Sequence, residues 1–315
     1  MGRFIARRIG LIFVTLFVIS IVIYLITEIL PGDAATAKFG KGATEQNLKT
    51  EREKLGLDRP APVRYLEWIG GVAQGDFGES LVQGRPVTEI VKPKLGNSLI
   101  LAVFAFLVAV PSAVAVGVWA GVKHNSWGDH AAGVISLVAI SMPEFVTGVL
   151  LIVVFSSFLG VLPSSSVILP GTSPFTRPEI LVLPTLTLTG VLFAYIMRMT
   201  RANVIEVLET HYVRTAILKG LSMRRVIFRH VFPNAMLPTI SVVAVNIGWM
   251  LGGLIIVESV FAYPGLGQLL LKSIESQDVP LLQSLALIIA ATYALSNLVA
   301  DLSYGALDPR IRLSS

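Results

Sequence analysis

Four polar residues sit inside or beside long apolar runs, and each has chemistry to offer there: Glu144 in "SMPEFVTG", Asn246 in "VNIGWM", Glu258 in "IIVESVFAYPGLG" and Asp301 in "NLVADLSYG". An ionisable side chain at membrane depth is costly and is by default a functional hypothesis, as a relay, a substrate contact or a counter-ion. Asn246 lies deepest by position, and Glu144 depends on where its apolar run begins. Glu258 and Asp301 fall near run ends, where a structural hydrogen bond or snorkelling accounts for them. Asn246, Glu144 and Glu258 are the candidate residues of a translocation path. Ser141 near Glu144 is a faint nucleophile and base pairing, and no histidine lies at membrane depth. The four histidines, His124, His130, His211 and His230, lack metal-ligand spacing, so no metal site is expected. Cysteine is absent, which excludes disulfides and thiolate ligands. There is no G-x-x-x-x-G-K-[ST] phosphate loop, because "GLGQLLLKS" lacks the glycine before its lysine.

A second concentration of chemistry is cationic. The stretch "YVRTAILKGLSMRRVIFRHVFPNAMLP", residues 212–238, holds Arg214, Lys219, Arg224, Arg225 and Arg229 and no acid, in a chain that is 54% hydrophobic and 14% charged. Val213, Ala216, Ile217 and Gly220 share one face of a helical segment over 213–219. Gly220 supplies the left-handed stop that a sharp reversal needs. Ser222 is placed to cap a second helix with Met223, Val226, Ile227 and Val231 on one face. Pro233 is expected to end that helix and Pro238 to mark the start of the next membrane span. The cations read either as orienting charges or as the polar face of helices resting on anionic membrane lipid. Neither reading explains a small-residue face, a turn glycine and a proline at a fixed interval.

The elements that position these groups are membrane helices. The chain has 315 residues, a net charge of +5 and a mean hydropathy of +0.74. Several runs reach roughly 20 residues, the length that crosses a hydrocarbon core as a helix. The fold class is all-α and polytopic, with spans near 9–29, 98–121, 132–159, 181–199, 237–261 and 282–304. Arg3, Arg7 and Arg8 before the first run, and "AATA" after it, resemble a cleavable signal; the run's length and the five that follow favour a retained first membrane helix. The basic balance points to membrane orientation and not to nucleic acid. With the N-terminus inside, short cytoplasmic segments hold Arg3, Arg7, Arg8, Lys123, Arg198, Arg201, Arg214, Lys219, Arg224, Arg225, Arg229, Arg310 and Arg312, while the two short outside loops hold only Arg177 and Lys272. Both termini are expected in the cytoplasm.

The long outside loop, 30–97, contains two predicted helices: "TEQNLKTEREKLG", with Thr44 at its start and Gly56 as its stop, and "DRPAPVRYLEWIGGV", with Pro60 and Pro62 at its start. It reads either as a lid on its own helices or as a docking surface for an extracytoplasmic partner. Within the spans, Ala105, Ala109, Ala113, Gly117 and Gly121 form a small-residue stripe, and Gly248 and Gly252 a small-xxx-small pair, both helix-packing signals. Pro111, Pro143 and Pro184 are expected to interrupt or kink the second, third and fourth spans.

The stretch "RTAILKGLSMRRVIFRHVFP" resembles the EAA loop of ABC importer permeases, whose pattern is E-A-A, three residues, G, nine residues, then I-x-L-P. Gly220, Pro233 and Ala216 match. Arg214, Thr215, His230 and Phe232 occupy the E, first A, I and L positions, so no salt bridge from an acid at the first position is expected. "YVRTA" with "KGL" is the variant of the peptide and nickel importer branch. "ILPGD", "LGLDRPAPVRYLEWI", "GDFGESL", "ESVFAYPGLGQLLLKSI" with "DVP", and "DPRIR" match the same branch, so the resemblance covers essentially the whole chain. The chain resembles the B-type permease subunit of a dipeptide/oligopeptide importer.

The resemblance implies a type I ABC importer permease fold, organised as 1–97 (first helix and outer loop), 98–304 (five-helix core with the coupling loop 200–236) and 305–315 (cytoplasmic tail). It implies a second, homologous permease in a heterodimer, two ATP-binding subunits that carry ATP and Mg, and an extracytoplasmic substrate-binding protein. This chain itself would bind no cofactor and catalyse nothing. Arg214, Thr215, Ala216, Gly220, Arg225, His230, Phe232 and Pro233 are the residues of the ATPase-coupling loop, with Ala216 and Gly220 acting through close packing and the arginines orienting docking. The alternatives are a proton-driven carrier, which would use Glu144, Glu258 or Asp301 but commonly shows internal repeats not seen here, and an intramembrane hydrolase centred on Ser141. The substrate stays open among peptides, nickel complexes, opines, glutathione and oligosaccharides.

Overall fold

The computed structural model describes residues 2–29, 44–54, 58–169 and 172–307. Its helices, in chain order, are α1 (Gly2–Ile29), α2 (Glu45–Lys54), α3 (Ala61–Ala73), α4 (Val87–Val122), α5 (Trp127–Ser141), α6 (Glu144–Leu151), α7 (Glu179–Leu208), α8 (His211–Leu218), α9 (Met223–Val226), α10 (Phe232–Val260), α11 (Leu266–Glu275) and α12 (Val279–Leu307). A π-helical turn, Ile152–Phe158, extends α6, and another, Ile227–Val231, joins α9 to α10. Among the described residues five helical stretches are long and apolar enough to cross a membrane, and α5 with α6, bent by 109°, makes a sixth as a broken span. The expected spans are all present. The residues group into two compact units, Leu99–Tyr263 with the chain from Ser296, and Gly2–Ser98 with Pro264–Leu295.

In the first unit α7 is the central wall. Two-thirds of its most apolar window is buried, 67% against 28% for α4. The stripe on α4 is what lets it approach: Ala105, Ala109 and Ala113 are fully buried. A Cβ on Gly117 would fall 2.7 Å from the Met197 carbonyl and from Thr200, and one on Gly121 would fall 2.7 Å from Val204. On α10 the close approach is made by Gly253 instead of Gly252, which is exposed with open space around it. Asn203 of α7 ties to α10 by donating to Thr239 Oγ1 at 3.2 Å.

The prolines behave differently from one another. Only Pro143 breaks a span, between α5 and α6. Pro111 and Pro184 lie within continuous helices, so the expectation of interruption fails there. At Pro184 the cause is visible. The missing N–H would have bonded the carbonyl of Ile180, and the Ser166 hydroxyl donates to that carbonyl at 2.6 Å in its place. Ser166 is buried, and its own N–H donates to the Phe261 carbonyl at 2.7 Å.

In the second unit α3 runs antiparallel along α1: Tyr65 pairs with Ser20 at 2.9 Å, Tyr24 meets the Tyr65 ring edge-on, and Arg64 pairs with Glu28. This segment of the long loop is thus packed on its own chain, as the lid reading has it. Both predicted loop helices form, with Thr44 accepting from Asn47 N–H and prolines at the start of α3; Gly56 lies outside the described residues, as do "DPRIR" and most of "ILPGD". The motifs "GDFGESL" and "DVP" meet in one place. The buried Asp278 carboxylate accepts from the Ser80 hydroxyl and from the backbone N–H groups of Leu81 and Val82. Val87, Ile90, Val91, Leu266, Leu269, Leu281 and Leu285 form the apolar core beside it.

Ser166→Ala leaves the Ile180 carbonyl unpaired in apolar surroundings and is expected to destabilise the protein by about 1–3 kcal/mol. Adding Pro184→Ala restores an N–H partner and recovers most of that loss. A thermal unfolding series on the two single variants and the double in detergent measures the coupling; additive effects would mean that the hydroxyl does not serve the proline.

Candidate functional site

The cationic stretch folds as one small unit seated on the end of α7. On α8, Val213 and Ala216 turn inward and join Val204, Val226, Val231 and Ala235 in a buried cluster, with Val207 and Leu208 of α7 packed against it. The helix then stops where expected. Gly220 has φ +77°, its N–H donates to the Ile217 carbonyl, and Leu221 N–H reaches back to Ala216, the paired bonds of a Schellman turn. Nothing lies within 4 Å of where a Gly220 Cβ would sit, so this position is held by backbone conformation and not by crowding.

The second half departs from expectation. Ser222 stands at the cap position of α9 but its side chain makes no capping bond. Pro233 does not end the helix; it lies in the first turn of α10, and the chain runs on. The π-helical turn Ile227–Val231 opens the helical register just before the proline, which lets the chain continue without a clash. Pro238 lies inside α10 and not at its start. The apolar faces are also narrower than the sequence suggests: Ile217 and Met223, expected inward, are exposed. Two turns of α8 leave room for only an i, i+3 pair at the interface, here Val213 and Ala216.

The outer surface carries the information. Leu218 is 87% exposed and Phe228 65%, with Tyr212, Ile217 and Met223 exposed beside them. Arg214, Lys219, Arg224, Arg225 and Arg229 are exposed around them, and among the described residues none makes an ion pair. Arginine, methionine and aromatic residues around an apolar centre are the composition of a protein interface. Thr215 is exposed and bonds back to the His211 carbonyl, whereas Ala216 packs into the chain's own cluster. His230 and Phe232 are half-buried and Pro233 exposed. The His230 carbonyl accepts from the Tyr212 hydroxyl at 3.4 Å and from Asn234 at 2.7 Å, which locks α8 onto the turn before α10.

The path candidates separate. Glu144 is the first residue of α6, directly after the break, and its carboxylate lies against Gly253 of α10: a Cβ there would meet both oxygens at 2.5 Å. Asn246 lies two turns earlier on α10 and donates to its own Val242 carbonyl at 2.8 Å. Glu258 is wholly buried and presents no surface. Burial pushes the Tyr263 phenol above the usual tyrosine range, and Glu258 acts in the same direction. Asp301 is half-buried and Ser141 exposed.

Sequence reasoning passed over Asp129. It is 2% exposed and held by both Nε and Nη2 of Arg201 on α7, the Nη2 bond being 2.7 Å. Its signal was the capping spacing Ser126-x-x-Asp129, and Ser126 does accept the Asp129 N–H. Leu218 and Phe228 had a signal too, since both are apolar on the cationic side of an amphipathic unit.

These features define a class: a polytopic helical membrane protein with an exposed apolar and cationic tip. Residues 113–313 match the family described as binding-protein-dependent transport system inner membrane component, and residues 1–102 match its N-terminal part. The chain belongs to that family. It is 36% identical over 314 residues to the probable peptide ABC transporter permease protein y4tP of Sinorhizobium fredii, covering 99% of this chain and 100% of that one. It is 39% identical over 308 residues to the glutathione transport system permease protein GsiC of Escherichia coli K12, covering 98% of each, and 38% identical over the same length to GsiC of Shigella flexneri. The protein is a multi-pass inner-membrane permease subunit of binding-protein-dependent ABC import.

Replacing Gly220 is expected to report backbone strain alone. Gly220→Asn, which tolerates the left-handed region, should fold nearly as well as wild type, whereas Gly220→Val should lose roughly 1–2 kcal/mol. Thermal unfolding of the three proteins checks the order; equal loss in both variants would mean that space and not conformation holds the glycine.

Proposed function

We propose that this chain forms half of a translocation path for short peptides and couples it, through residues 211–233, to ATP-hydrolysing subunits. The observation that carries the reading is the tip itself: Leu218 and Phe228 stand exposed on a buried platform fixed by Val213, Ala216 and Val231. Such a tip fits a cleft in a partner, and the arginines around it orient the approach. Ala216 and Gly220 then act from inside, by holding the shape that presents Leu218. ATP and Mg belong to two partner ATPases, and a second, homologous permease completes the path as a heterodimer. An extracytoplasmic binding protein delivers substrate on the face opposite the tip. The positive-inside distribution of Lys and Arg supports a cytoplasmic location for the tip and both termini.

Glu144 and Asn246 are the path residues in this reading. Glu144 stands at the break of a bent span, where irregular backbone is tolerated if it lines a cavity. Glu258 supports the end of α10 from within. The names of the relatives, one a peptide permease and two glutathione permeases, support a short peptide as cargo, glutathione being itself a tripeptide.

The test is copurification from native membrane. Wild type should bring down two ATPases and a second permease, and a Leu218→Asp, Phe228→Asp double variant should keep the permease and lose at least nine-tenths of the ATPases. If the ATPases stay bound, the tip rests on lipid and the coupling assignment fails.

A further inference from the structure

We infer that the Asp129–Arg201 pair is a strut that carries movement of the 211–233 unit into the broken span α5–α6; the inference rests on the coupling role proposed for that unit. Arg201 and Val204 are one turn apart on the same face of α7. Val204 belongs to the cluster that seats the unit, and Gly121 of α4 packs on both Val204 and the Arg201 carbonyl. Whatever displaces the unit therefore displaces this end of α7.

α5 packs closely along α7, and one of its side chains fastens that contact with hydrogen bonds. Only two residues of α5 are buried, Asp129 and Ser136, and Ser136 spends its hydroxyl on its own helix at Gly133. Asp129 instead bonds across to α7. Its two oxygens take both nitrogens of Arg201, and Oδ2 also accepts the N–H of Asn125, which holds the turn between α4 and α5 in a left-handed conformation at φ 61°. A bidentate guanidinium and carboxylate pair fixes orientation as well as distance. Asp129 is buried whereas Arg201 is one-third exposed, so loss of the guanidinium would leave a buried carboxylate without its counter-charge. The pair thus makes α4, α5 and α7 one block beside the unit. Beyond α5 the chain bends by 109° and presents Glu144. Asp129 and Arg201 are positioning residues: they touch no substrate, and they lock α5 to α7 at the end beside the unit.

The chain contains no cysteine, so a thiol pair placed in it is unique. Ile135→Cys on α5 and Tyr195→Cys on α7 are both exposed sites for spin labels. The assembled complex is purified with its ATPases, and the label distance is measured with and without ATP and vanadate. In the wild-type background a single distance distribution is expected in both conditions, since the helices move together. In Asp129→Asn, which keeps shape and removes the charge, ATP hydrolysis should stay within about two-fold while nucleotide splits the distribution into two populations. The reciprocal swap, Asp129→Arg with Arg201→Asp, should return it to one. A single population in Asp129→Asn with hydrolysis intact overturns the strut, as does loss of assembly in Asp129→Asn, which would mark the pair as a folding contact only. Absence of ATPases from the wild-type complex would instead sink the coupling role on which the strut depends.

Discussion

The first unit depends on how closely α4 can approach α7. Helices in hydrocarbon gain little from mutual burial of leucines, because lipid tails serve them equally well. Association must come from backbone contact, and that contact is available only where side chains are missing or short. Gly117 and Gly121 put the α4 backbone against the carbonyls of Met197 and Arg201, and the alanines above them continue the seam. With α4 seated, α7 becomes a buried wall, and it can carry Thr185, Thr187 and Thr189 inward without meeting lipid. The Asn203 bond to α10, the seat of the 211–233 unit and the Asp129 pair all hang from that wall.

How much of this was legible in the sequence depends on whether the cause is local. The spans, the small-residue stripe on α4 and the left-handed Gly220 follow from periodicity, residue size and backbone freedom, and each appears where those properties put it. The breaks expected at Pro184 and Pro233 do not form, because the consequence of each proline is decided elsewhere in the chain. Pro184 leaves no orphaned carbonyl at Ile180, on account of a serine 18 positions earlier. Pro233 is harmless because a wider turn precedes it. Likewise the sign of a surface cannot be read from a two-turn helix: Ile217 follows the pattern of Val213 and Ala216, yet the platform has room for only two residues. Asp129 and Arg201, 72 positions apart, offered only a capping spacing and one cation among many.

The 211–233 unit shows a division of labour between its faces. The residues that match the EAA-like pattern mostly build the unit: Ala216 packs, Gly220 reverses the chain, and Pro233 begins α10. The exposed apolar residues Leu218, Met223 and Phe228 lie between the matching positions. A motif defined by fold and the exposed surface between its positions can therefore vary independently.

The bond from Ser166 to the Ile180 carbonyl bears on how the chain is made. Ser166 precedes Pro184, so when the proline turn of α7 reaches the bilayer during synthesis, the hydroxyl that replaces its missing partner has already been delivered. The Phe261 carbonyl, which takes the Ser166 N–H, arrives almost a hundred residues later. The helix can thus be continuous from the moment it enters lipid, whereas the segment that supplies the hydroxyl is fastened only once α10 is in place. Order of appearance along the chain, and not only final geometry, decides which exposed carbonyl has to wait.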